Sequence, residues 1–346
     1  MKITIKKHRL IFKQAAGTSR GVLLSKDTWF IKVFDAENPL DFGIGEINMF
    51  KGLSYDDRPD FYSKLNEIIK SPEHYILNMH KELIEYPSII FGLETALLDY
   101  KRKQNKILFP SKFTEFKAGI PINGLIWMGN QTFMKQQIKQ KLDSGFRCLK
   151  MKIGAIDFET ELNILKKIRE EYQINDLEIR VDANGAFNKT DAFIKLDQLS
   201  FFQIHSIEQP IKPGDWDFMH ELSTKSSLSI ALDEELIGIH HLHKKELLLN
   251  TIKPQYIILK PALIGGFKAT QEWINLAINK GIGWWITSAL ESNIGLNAIA
   301  QYTYQLKTDM YHGLGTGQLF SNNIDSPLII KHDKLYYQAL KGWGKC

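Results

Sequence analysis

The chain has 346 residues, a net charge of +5 and 24% charged residues, with lysines scattered and no arginine-rich block, which argues against nucleic acid as its main partner. Its two cysteines, Cys148 and Cys346, leave no scope for a disulfide framework, the N-terminus lacks a signal peptide's apolar core, and no apolar run approaches the ~20 residues of a membrane span. A cytoplasmic protein is expected, long enough for an α/β barrel of about 250 residues with a further domain of about 100.

The first stretch alternates like antiparallel strands, at Met1 to Gln14, Gly21 to Leu24, Trp29 to Phe34 and Gly43 to Asn48. Between the first two, Ala15-Ala16-Gly17-Thr18-Ser19-Arg20 reads as a glycine-bearing loop. Helical periodicity follows at Pro59 to Lys70, Glu73 to Ile84 and Ser88 to Gln104, the last holding Phe91, Leu93, Ala96, Leu97 and Tyr100 on one broad apolar stripe. Strands first and helices after predict an α+β domain over residues 1–116.

From Lys117 the texture changes to short apolar runs alternating with amphipathic helices. Strand candidates stand at Ile120–Asn123, Cys148–Ile153, Ile179–Asp182, His205–Glu208, Ser229–Asp233, Tyr256–Lys260, Gly283–Thr287 and Met310–His312, and a helical pattern follows each but the last. This rhythm predicts a (β/α)8-type TIM barrel over residues 117–324, with its active site at the strand C-termini. The competing doubly wound sheet lacks any Rossmann-type glycine fingerprint. Leu328–Ile330 and Leu335–Gln338 read as a hairpin, and residues 325–346 are expected to rejoin the first domain.

Charged residues end these runs. Lys152, Asp182, Glu208, Asp233 and Lys260 follow one another at intervals of 25 to 30 residues, the length of one βα unit. A parallel strand is buried on both faces, so an ionised group there costs several kcal/mol unless it is paired or bound to metal. Three converging carboxylates would repel one another unless a cation joined them. Oxygen donors alone, with no His or Cys, favour Mg2+, with Mn2+ as a substitute and positions left open for water or substrate. On a strand, residues i and i+2 share a face, which puts Lys150 and Lys152 inward together, while Lys260 approaches from the other side. A lysine base near neutral pH needs its pKa drawn down from about 10.4 to roughly 7–8. Metal plus lysine is the equipment for taking a proton from the carbon beside a carboxylate, so a small-molecule carboxylate is the expected partner. Ordinary roles compete: strand-end acids often cap the next helix, and His205, His312 and Trp284-Trp285 read as core.

The spaced set Lys150-Met151-Lys152, Asp182-Ala183-Asn184-Gly185, Glu208-Gln209-Pro210, Asp233-Glu234 and Lys260-Pro261 resembles the enolase superfamily in its muconate-lactonising subgroup. Ile122 to Gly129 and Ser288-Ala289-Leu290-Glu291-Ser292-Asn293-Ile294-Gly295 are similar to the menaquinone-pathway dehydratases within it. The resemblance spans most of the chain, including the α+β capping domain. It implies Asp182, Glu208 and Asp233 as Mg2+ ligands, Lys152 as the base that takes the α-proton and then helps the hydroxyl leave, and Lys260 as a cation over the opposite face. Lys150 would tune Lys152 and meet the substrate carboxylate. Arg180, Asn184, Ser288 and Glu291 would touch substrate, and the Gly17 to Arg20 loop, Arg20 included, would close over a succinyl tail. The implied reaction dehydrates a succinyl-bearing cyclohexadiene carboxylate. Racemisation of an N-acyl amino acid, or epimerisation of a dipeptide, is the alternative on the same frame. Against a dipeptide epimerase stands His312-Gly313-Leu314-Gly315-Thr316, where such enzymes carry paired aspartates for an α-amino group.

Overall fold

Alternating burial along the first strands builds an antiparallel sheet of Lys2–Thr18, Gly21–Asp35 and Asn38–Ile47, in that order. The computed structural model describes residues 1–18, 21–103, 105–154 and 156–345. The sequence suggests a break between Gly21 to Leu24 and Trp29 to Phe34, yet this is one strand, because its polar middle is fully engaged. Thr28 Oγ1 donates to Glu46 Oε1 at 2.7 Å, Lys26 pairs with Asn48, and Asp27 meets Lys7 at 2.7 Å and Arg9 at 2.9 Å. The expected loop is also mostly strand: after a register shift, Ala16, Gly17 and Thr18 pair with Leu23, Val22 and Gly21. Ser19 and Arg20 lie outside the described residues.

Helices Phe61–Lys70, Pro72–Glu82 and Pro87–Lys101 complete this cap. The last lies on the sheet as closely as backbone allows. A Cβ on Gly43 would stand 2.1 Å from the Ala96 carbonyl oxygen, so any side chain there would push the helix off the sheet.

Seven parallel strands follow, each beside its sequence neighbour: Gly124–Ile126, Cys148–Lys152, Glu178–Asp182, Ser206–Glu208, Ile230–Leu232, Tyr256–Leu259 and Gly283–Ile286. Met151 and Val181 join the core beneath the helices, while Lys150, Lys152 and Asp182 face inward. The eighth station, expected as a strand at Met310–His312, makes only single bridges. His312 pairs with Ile122 and Gly313 with Thr287, closing the two sheet edges into a barrel. Glycine at 313 and 315 offers no side chain to pack, which keeps this stave from becoming a ladder.

The first expected barrel strand divides. Ile120–Pro121 pairs antiparallel with Lys334–Tyr337, which pairs with Leu328–Lys331, and the barrel proper begins at Gly124. The tail therefore adds its hairpin to the barrel's own entry segment, not to the cap sheet. Trp343 does return toward the cap, beside a cluster of Phe30, Ile44, Ile294 and Ile324. The firmer link lies earlier: Lys13 N donates to Leu319 O at 2.8 Å, Ser321 N donates to Ile11 O at 2.9 Å, and the Phe12 and Phe320 rings stand 4.7 Å apart. Among the described residues, no helix is long and apolar enough to cross a membrane.

Candidate active site

Strand register decides which charges meet. Lys152 lies opposite Asp182, and Asp182 opposite Glu208, at the C-terminal ends of adjacent strands. Neighbouring strands stand about 4.8 Å apart, so these side chains are forced together. Asp233 follows directly on Ile230–Leu232, and Lys260 on Tyr256–Leu259. Lys150 Nζ bridges Asp182 Oδ2, at 2.9 Å, and Glu208; Lys152 Nζ lies 3.1 Å from the same Asp182 oxygen; Lys260 pairs with Asp233.

Neutral side chains fix the loops that carry these charges. Gln209 Oε1 accepts from the backbone N–H of Asp233 and of Glu235, both at 3.2 Å, while its Nε2 donates to Glu235 Oε2 and Ile211 O at 3.0 Å. Gln209 is held at φ +39, a left-handed conformation costing about 1–2 kcal/mol that the four bonds offset. Asn184 ties three groups: its N–H donates to Asp182 Oδ1 at 3.0 Å, its Oδ1 accepts from Lys152 Nζ at 2.5 Å, and its Nδ2 donates to Glu234 Oε1 at 3.0 Å.

Electrostatics follow from this packing. Burial would raise Asp182, but the charges of Lys150 and Lys152 carry it well below the usual carboxylate range. Glu208 moves the other way, raised by burial and then by the charge of Asp182. Burial pulls Lys150 and Lys260 down, yet the acids outweigh it, chiefly Asp182 and Glu208 at Lys150 and Asp233 at Lys260, and both stand above the ordinary lysine value. Both stand high because their nearest charges are carboxylates; the depression expected from the sequence is that of a lysine beside a divalent cation.

Among the described residues, no three His, Cys, Asp or Glu side chains stand close enough together to hold a metal ion. The ion pairs give the reason: one ammonium lies between Asp182 and Glu208, and another against Asp233. The donor set itself fits a hard divalent cation. It offers only carboxylate oxygens, from three adjacent strand ends, and Glu208 Oε1 is buried with no hydrogen-bond partner among the described residues.

Lys150, Lys152, Asp182, Asn184, Lys260 and Ser288 line one cavity of about 450 Å³, in the range of small-molecule sites. Two expected substrate contacts do not line it. Arg180 points below, its Nε donating to Glu178 Oε1 at 2.6 Å, its Nη1 to Tyr311 O at 2.9 Å, with its guanidinium 4.1 Å from the Trp285 ring centre. Glu291 sits behind Ser288, accepting from its hydroxyl at 2.5 Å and from Asn48 Nδ2 at 3.0 Å. Arg20 lies outside the described residues. His312 is a satisfied core histidine, as read from the sequence, its Nδ1 accepting from Ile286 N at 3.0 Å.

Sequence reasoning misses the opposite wall. Phe12 to Ala15 come from the cap hairpin, and Phe133, Gln137, Gln140 and Lys141 from helix Gln131–Asp143. The spacing i, i+4, i+7, i+8 does place those four on one helix face, but a mostly polar face ordinarily means solvent.

The family model of enolase C-terminal domain-like proteins matches residues 134–344. The o-succinylbenzoate synthase of Desulfotalea psychrophila is 44% identical over 95% of this chain and 97% of its own length. The crystal structure of MenC from Desulfotalea psychrophila LSv54 superposes with a TM-score of 0.86 at 40% identity, covering 97% of this chain and 99% of that one. A dipeptide epimerase from Enterococcus faecalis V583, crystallised with Mg and L-Leu-L-Tyr, gives a TM-score of 0.82 at 18% identity over 97% of this chain and 96% of its own, a likeness of fold.

Proposed function

The chain belongs to the enolase C-terminal domain-like family, and from that membership we propose its reaction: loss of water from 2-succinyl-6-hydroxy-2,4-cyclohexadiene-1-carboxylate to give o-succinylbenzoate, a carbon–oxygen lyase step of menaquinone biosynthesis. The observation that carries it is the pair of cavity lysines, Lys152 and Lys260, on the strands that flank the three acid-bearing ones.

Lys152, as the amine, takes the proton from the ring carbon beside the carboxylate. The released electron pair becomes the new ring double bond as the carbon–hydroxyl bond breaks, and the Lys152 ammonium returns its proton to the hydroxyl, which leaves as water. Aromatisation drives the step, so the site need only overcome the weak acidity of that carbon. Asn184 and Asp182 aim the Lys152 amine from one side. Lys260, on the far flank, sets its positive charge against the charge developing on the ring, and Lys150 meets the ring carboxylate. A Mg2+ ion held by Asp182, Glu208 and Asp233 supplies Lewis-acid stabilisation of that carboxylate when bound. We place the reaction in the cytoplasm, the compartment expected of a chain with two cysteines and no disulfide among the described residues.

The test follows ultraviolet absorbance as the cyclohexadiene becomes aromatic, using metal-loaded protein with and without EDTA. Turnover that EDTA stops is the expected result. No turnover, together with racemisation of an N-succinyl amino acid, replaces the dehydratase with a racemase.

A further inference from the structure

The cavity holds a cation that the elimination does not use. Lys141 lines the same space as Lys150, Lys152 and Lys260, but from helix Gln131–Asp143 instead of a strand end. Each of those three is bonded to an acid. Lys141 is partly buried and has no hydrogen-bond acceptor or ion-pair partner among the described residues; its nearest notable neighbour is the Phe146 ring, 5.0 Å from Nζ. Burial draws its ammonium below the ordinary lysine value, with no acid to offset it. Lys13, which also lines the cavity, is exposed on the cap hairpin.

The placement of Lys141 is built, not incidental. Asn130 caps the helix, its side chain accepting from Phe133 N at 2.9 Å. Gln137 then grips the first barrel strand's exit twice, accepting from Trp127 N at 2.9 Å and donating to Trp127 O at 3.0 Å. Four residues on, Lys141 shares the face of Gln137. Its stem crosses the strand at Gly124, where a Cβ would come within 3.2 Å of Lys141 Cγ and Cδ.

The substrate of the proposed reaction is a dianion, and its ring carboxylate goes to Lys150 and to the cation that Asp182, Glu208 and Asp233 would hold. Its second carboxylate, at the end of the succinyl tail, needs a donor elsewhere. Ser288 is a poor one: its hydroxyl proton is given to Glu291, and its oxygen already accepts from Thr316 Oγ1 at 2.8 Å and Leu290 N at 3.1 Å. The Glu291 carboxyl group stands directly behind it. We propose that Lys141 binds the tail carboxylate of the substrate and so selects a dicarboxylate over a monocarboxylate of the same shape. This rests on the dehydratase reading above.

Calorimetry on the metal-loaded protein compares o-succinylbenzoate with 2-butyrylbenzoate, which keeps the ring carboxylate, ketone and chain length but ends in a methyl group. The wild type should bind o-succinylbenzoate about tenfold or more tightly than the analogue, as one charge-assisted hydrogen bond allows. Lys141→Met should bind the two alike, and Lys141→Arg should keep most of the preference. In turnover, Lys141→Met should raise KM about tenfold while kcat stays within roughly threefold, the pattern of lost uniform binding. A wild-type preference that survives in Lys141→Met overturns the assignment, and so does a wild type with no preference. Failure of the reaction itself shows separately, as a wild type that does not turn over the cyclohexadiene.

Discussion

Lys150 and Arg180 stand opposite each other in the barrel's register, both buried, both cationic, and they do different work. Lys150 leans up toward the strand ends, lines the cavity with Asp182, and shares Asp182 and Glu208 as ion-pair partners. Arg180 is closed in by Glu178, a backbone carbonyl and the face of Trp285. Burial of a charge therefore marks no site by itself. What separates them is company: several buried acids that act on one another beside Lys150, against a single partly exposed acid, a carbonyl and a ring face in contact with Arg180.

The sharpest way to test that contrast is at the mouth. Lys152→Ala should cost roughly 10²–10⁴-fold in dehydration rate while calorimetric Mg2+ affinity survives; full activity would remove Lys152 from the mechanism. Below the mouth, Arg180→Ala should lower stability by about 3 kcal/mol in urea unfolding, with KM and kcat of the remaining folded enzyme nearly unchanged. Were activity to collapse and stability hold, the two layers would have been assigned the wrong way round. Asp233→Asn should weaken divalent-ion affinity about tenfold, some 1.4 kcal/mol by calorimetry, and unchanged affinity argues against ligation.

A further effect, spread over pH and not lost at once, belongs to His312. Burial, and then the charge of Arg180, press it down to about 3, against roughly 6.5 in an unfolded chain. The unfolded state takes up a proton that the folded state refuses, so the stability present above pH 6.5 is lost as pH falls toward 3, by at most about 1.4 kcal/mol per unit. His312→Asn should flatten that slope between pH 7 and 4.5 in urea titrations, and an unaltered slope would assign the acid sensitivity to other groups.

Much of this was legible because each barrel strand is an apolar run ending in a charge, and because the period of a βα unit is long enough to count. Alternation, however, reports a face and not a depth. Arg180 and Asp182 share an inward face, but two residues of rise place one in the cavity and the other beneath it. Glu291 is hidden for a similar reason: the turn at Ser288 to Leu290 puts one polar side chain forward and the next behind it. Lys26 and Thr28 disguise a continuous strand as a broken one, since their partners Asn48 and Glu46 lie about twenty residues away in sequence. The glycine-bearing closure at His312 and Gly313 keeps the direction of a strand without its ladder, which no local propensity reports.

Gln209 sets the interval between two carboxylates through an amide that gains and loses no proton. The backbone N–H of Asp233 is hung from that amide, one residue on from Glu208, so the tie between these two strand ends does not itself titrate. For the proposed ion to enter, the lysine ammonium groups now set against these acids must give way, while the backbone that carries Asp233 stays tied. Motion at this site then belongs to its charged side chains, and a neutral one keeps their attachment points in place.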